Sequence, residues 1–77
     1  MNKTRRKYLA EAVTKLEEAM QMVQDAEDEE QDAFDNIPEG LQYSERGEQM
    51  EDNISNMDDA ISSIDDAIGT LQEIIDG

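Results

Sequence analysis

The sequence predicts an all-α fold: an antiparallel two-helix hairpin with helices over about residues 4–35 and 44–76, pairing with a second copy as a dimeric four-helix bundle. Three observations predict it. Apolar residues recur every seven positions in two stretches of equal length. A short segment between them holds the only Pro of the chain. The apolar rows of the two stretches match each other when the chain is folded back on itself.

In the first stretch Leu9, Leu16 and Val23 recur every seven residues, and so do Ala12, Ala19, Ala26 and Ala33. A third row holds Val13, Met20 and, after a gap at Glu27, Phe34. The three rows share one side of a helix and acids fill the other. Ala, Leu, Glu, Gln, Lys and Met dominate, all good helix formers. Glu27 and Glu30 stand where the rows call for apolar residues; the expected reason is a solvated helix end near the turn, the alternative a site that needs carboxylates near the bundle interior.

The turn is expected at residues 36–43. Pro38 cannot continue a helix, and Gly40 is available for a positive φ. Ser44 is the expected N-cap of the second helix, with Glu45 and Glu48 placed to suit its N-terminal dipole. So short a connection brings the helices back antiparallel.

In the second stretch Met50, Met57, Ile64 and Leu71 form one row, Ile54, Ile61, Ile68 and Ile75 a second, and Ala60, Ala67 and Ile74 a third. Each helix of ~32 residues would be ~48 Å long at ~1.5 Å per residue. Folding back sets Leu9 against Leu71, Leu16 against Ile64 and Val23 against Met57. It also sets Ala12 against Ala67, Ala19 against Ala60, and Phe34 against Gly47. Low hydrophobicity with a net charge of −15 is also a mark of disorder. Agreement of independent rows on one register decides against it.

Two helices bury one seam, and the apolar arc is wider than that. The rows of Val13, Met20, Ile54, Ile61, Ile68 and Ile75 are therefore the expected dimer face. In the turn, Phe34, Pro38, Tyr43, Arg46 and Gly47 stand out. Phe34 packing over Gly47 would explain the Gly, and Arg46 is expected to pair with Asp32, Asp35 or Glu39.

Composition narrows function. The 77 residues form one domain without Cys or His, so disulfides, zinc fingers, haem and Ser/His or Cys/His catalytic pairs are excluded. The acidic run Asp25–Asp35 resembles a calcium loop in composition only, since the EF-hand pattern needs a Gly and none precedes Pro38. No enzyme, cofactor or metal site is expected, and no signal peptide or membrane span is read, so the expected location is the cytoplasm.

Charge is unevenly spread. Residues 1–15 hold Lys3, Arg5, Arg6, Lys7 and Lys15 against Glu11, a net of +4; residues 16–77 hold the other 20 acids against Arg46 alone, a net of −19. Direct binding to nucleic acid or an anionic membrane is thereby disfavoured. The basic head is expected to lie beside Glu73 and Asp76 at the carbonyl end of the second helix. The pairs Glu51-Asp52, Asp58-Asp59 and Asp65-Asp66 recur every seven residues, ~10.5 Å apart along the axis. They are the candidate partner surface, an array suited to the basic groove of a nucleic-acid-binding protein. The plain alternative is a charged exterior that keeps the hairpin soluble.

The segment Asp35-Asn36-Ile37-Pro38-Glu39-Gly40-Leu41-Gln42-Tyr43-Ser44-Glu45-Arg46-Gly47-Glu48-Gln49-Met50, with the opening Asn2-Lys3-Thr4-Arg5-Arg6-Lys7-Tyr8-Leu9 and the closing helix, resembles small acidic proteins of unknown function from Gram-positive bacteria, their phages and prophages. The resemblance implies no activity or site residues. It implies a setting in which small acidic proteins inhibit host defence or redirect a host enzyme. The expected function is a non-catalytic interaction module, an inhibitor binding a basic host protein. The alternative is a structural protein whose role is self-association.

Overall fold

A computed structural model describes all 77 residues. Two α-helices, α1 (Lys3–Asp35) and α2 (Glu45–Asp76), are joined through a single 3-10 turn at Glu39–Leu41, and there is no strand. Each boundary has a local cause. The Asn2 side chain accepts from the Arg5 N–H at 2.8 Å and starts α1. At its other end the Asn36 N–H reaches the Asp32 carbonyl, and Pro38 prevents continuation. The Ser44 hydroxyl accepts from the Gly47 N–H, with Glu45 and Glu48 in the first turn, as the sequence implies for α2. No residue has a positive φ, so Gly40 is not used as expected. The chain reverses instead through right-handed turns, with Leu41 N–H to Pro38 O at 2.8 Å and Gln42 N–H to Glu39 O at 3.2 Å.

The hairpin is a rod of 58 × 14 × 13 Å. Its radius of gyration is 17.4 Å, against ~11.5 Å for a compact chain of this length. The basic head meets the far end of α2: the Arg6 guanidinium donates to the Ile75 carbonyl. A cation at the start of α1, unfavourable to its own dipole, thus satisfies a carbonyl left open at the end of α2.

Burial shows which rows make the seam. Shielded positions step by three and four from Arg6 through Leu9, Val13, Leu16, Met20 and Val23 to Glu27, Glu30 and Phe34. The same alternation runs on α2 from Gly47 and Met50 to Leu71 and Ile75. Equal steps counted from the Arg6–Ile75 contact set Leu9 level with Leu71, Val13 with Ile68, Leu16 with Ile64 and Val23 with Met57. These are the a and d positions of a two-stranded coiled coil.

The rows expected to form a dimer face are therefore placed differently. Val13 and Ile68 are each 7% exposed within the lone hairpin, and Met20, Ile54, Ile61 and Ile75 follow them along the same seam, half-buried. The alanine rows lie at the margin of the seam: Ala12 and Ala19 are half-buried, while Ala26, Ala33, Ala60 and Ala67 are exposed. The reason is area. A two-helix seam accommodates two of three adjacent rows, and covering Ile and Val removes more apolar surface from water than covering Ala. The expected Ala12–Ala67 and Ala19–Ala60 contacts become a flank beside the seam.

Candidate functional site

The turn is built from backbone and side-chain oxygens. Gln42 sends its amide toward the Phe34 and Ile37 carbonyls, both at 3.4 Å. Ser44 donates to the Leu41 carbonyl while capping α2. Gly47 is buried, but the reason differs from the expected Phe34 contact. A Cβ there would lie 2.1 Å from the Gln42 carbonyl oxygen and 2.6 Å from its carbon. The chain leaving the 3-10 turn passes so close to the first turn of α2 that only Gly fits. Arg46 is exposed and takes no part in the hydrogen bonds that hold the turn, in place of the expected pairing with Asp32, Asp35 or Glu39. Tyr43 is 82% exposed and Leu41 56%; Pro38 is exposed and Phe34 half-buried.

The acid pairs Glu51-Asp52, Asp58-Asp59 and Asp65-Asp66 are all exposed along α2. Their heptad positions put Glu51, Asp58 and Asp65 directly beside the seam and Asp52, Asp59 and Asp66 farther out. No three of the carboxylates converge in a way that could hold a metal ion. The largest surface depression lies at the start of α2, beside Ser44, Glu45, Arg46, Gln49 and Met50. No helix is long and apolar enough to cross a membrane.

The seam loses its apolar character where Glu27 and Glu30 occupy an a and a d position. Glu30 accepts from the Asn53 side chain at 2.9 Å, across to α2. Glu27 faces Asp58. Their shared hydrogen bond is the main cause that holds the Glu27 carboxyl above its ordinary value; desolvation and the charges of Asp58 and Asp28 add to it. Asp58 thus belongs both to the outer acidic array and to a carboxyl pair bridging the helices. The sequence marks Glu27 as an interruption, but its Asp58 partner follows only from which rows form the seam.

A raised carboxyl binds its proton more tightly in the folded chain than in the unfolded one. The stability it contributes is complete below the ordinary Glu value and lost as pH rises through the raised one. Lowering the pH through the raised value is therefore expected to raise the melting temperature. Glu27→Gln should raise it at pH 7 and flatten the profile, since an amide keeps the hydrogen bond without the charge. Thermal unfolding of both proteins across this range checks it; parallel profiles would show that Glu27 is not a source of the dependence.

Comparison of the chain with protein-family models, with curated proteins and with solved structures finds no match.

Proposed function

We propose that the protein is a non-catalytic interaction module, a dimeric acidic rod that occupies the basic, nucleic-acid-binding groove of a partner protein as a charge mimic. In the phage or mobile-element setting that the resemblance implies, the partner is a host defence protein and the effect is inhibition. The observation that carries this reading is the exposed array Glu51, Asp52, Asp58, Asp59, Asp65 and Asp66, held in heptad register on one straight helix. With 20 acids and a single cation from residue 16 onward, the array has almost no counter-charge of its own. A partner that supplies one gains both attraction and release of counter-ions.

The dimer has separate support. Only four of 77 residues are buried, and no side chain is fully so, which is little core for a chain to stand on alone. The surface of 5732 Å² exceeds by ~1,000 Å² the ~4,700 Å² of a compact monomer of this mass. The same excess favours a second reading, a structural protein whose role is self-association; assembly in solution continuing beyond two copies would mark it.

Capture from host lysate on the immobilised protein tests the mimic. The screening length falls from ~10 Å at 0.1 M salt to ~3 Å at 1 M. Captured proteins are expected to release as salt rises, to be displaced by duplex DNA, and to be lost with the Asp58, Asp59, Asp65 and Asp66→Asn variant. Proteins retained at 1 M salt and indifferent to DNA would overturn charge mimicry.

A further inference from the structure

The acids do not surround the rod. Every acid of α2 lies on the seam-flanking side that bears Glu51 or on the outer faces next to it. The opposite flank of α2 is free of charge from Gln49 to Ile74, through Asn53, Asn56, Ala60, Ser63, Ala67 and Thr70. On the same flank of α1 lie the four exposed or half-buried alanines of the row Ala12 to Ala33, together with Tyr8 and Met22. Tyr8 is 67% exposed, Met22 72% and Ile74 41%. In a chain with 21 acids, a flank this long with one acid on it is a face kept for contact.

The two charges within the α1 part of this flank identify the occupant. Lys15 and Glu29 each stand seven residues from Met22, one on either side. A second copy laid antiparallel, α1 on α1, with a two-fold axis at Met22, sets Lys15 against Glu29 of that copy, twice. The same operation sets Ala19 against Ala26 and Ala12 against Ala33, small residues that let backbones approach. The α2 row is palindromic too: Ala60 meets Ala60, Asn56 meets Ser63 and Asn53 meets Ala67. The seam register puts Met22 and Ala60 within about two residues, or ~3 Å, of the same level. One axis therefore serves both helices. It also carries Arg46, unused in its own turn, to the carbonyl end of the second copy's α2.

We infer that the protein pairs with a second copy of itself through this acid-poor flank, α1 on α1 and α2 on α2, about a two-fold axis near Met22 and Ala60. The inference rests on the dimer reading above and is independent of charge mimicry. The acidic sides of both hairpins then point away from the interface, and the surface excess of the two copies together, ~2,000 Å², is of the size that a stable interface removes, ~1,200–2,000 Å². Isologous contact of this kind closes at two copies.

Three measurements test it. Sedimentation at tens of micromolar should give twice 8.7 kDa; a folded species of 8.7 kDa would overturn the dimer itself. The chain has no Cys, so Met22→Cys introduces a single thiol, and under mild oxidation it should form a disulfide dimer. Ser62→Cys, on the far side of α2, should not. A dimer in which Cys fails to bridge at position 22, as with α1 packed on the other copy's α2, would overturn this interface and leave the dimer standing. Lys15→Glu should weaken the dimer about tenfold or more by placing like charges in contact, and so should Glu29→Lys. The two together should restore it to within a few-fold, with helicity unchanged throughout. Failure of the double variant to recover would overturn the Lys15–Glu29 pairing.

Discussion

Gly47→Ala is expected to destabilise the protein by about 2–4 kcal/mol, a large loss for the addition of one methyl group. In a helix interior Ala is ordinarily favoured over Gly by up to ~1 kcal/mol. Here the added carbon would sit 2.1 Å from the Gln42 carbonyl oxygen. That oxygen is backbone, held in place by the 3-10 turn, and cannot rotate away as a side chain would. Relief requires the turn to lift off α2, which breaks the Gln42 contacts with the Phe34 and Ile37 carbonyls. For a domain of this size each kcal/mol is worth ~4–8 °C, so a fall of ~10–25 °C is expected at fixed protein concentration. Gly69→Ala supplies the contrast. It lies inside the same helix with nothing within 4 Å of its absent Cβ, and the change should stabilise by ~0.5–1 kcal/mol. Melting curves in which the two variants move in the same direction would refute the close approach at Gly47.

Ile68→Ala carries the second large effect. Ile68 is 7% exposed, level with Val13 at 7%, and together they form the best-covered layer of the seam. Truncating a buried Ile to Ala removes its transfer free energy and leaves a void that two rigid helices fill poorly, at a cost of ~2–4 kcal/mol. Urea unfolding should show the midpoint lowered with the slope unchanged. A loss below ~1 kcal/mol would contradict the seam and return the isoleucine row to the outside of the hairpin.

These two residues show where the sequence could be read and where it could not. The lengths of α1 and α2, the turn and the Ser44 cap were all visible, because each depends on contacts within a few residues: a heptad period, a Pro, a side-chain oxygen before a helix. The level of one helix against the other was visible as well, since Leu9, Leu16 and Val23 match Leu71, Ile64 and Met57 only one way. The choice of seam was not. Three apolar rows lie side by side on each helix, and periodicity gives all three the same phase within a narrow arc. Gly47 stands out in the sequence, but the group that requires it is Gln42, five residues back along the chain, and not Phe34 on the facing helix. Turn geometry is set by φ and ψ, which composition does not encode.

The candidate surface divides the same way. The heptad recurrence of Glu51-Asp52, Asp58-Asp59 and Asp65-Asp66 is a property of the sequence, because charges seven apart on any helix fall on one face. That Asp58 also pairs with Glu27, and that the flank opposite the acids carries no charge on α2 from Gln49 to Ile74, follows only once the seam is known. An acidic helical hairpin, its length, its turn and its register are all legible in the order of residues. Which rows are inside, why position 47 must be Gly, and which flank is left nearly free of acids follow from the packing of α1 on α2. The reason is physical: local propensity and periodicity fix a helix and its faces, whereas the choice between adjacent faces follows from how much apolar area two helices can cover at once.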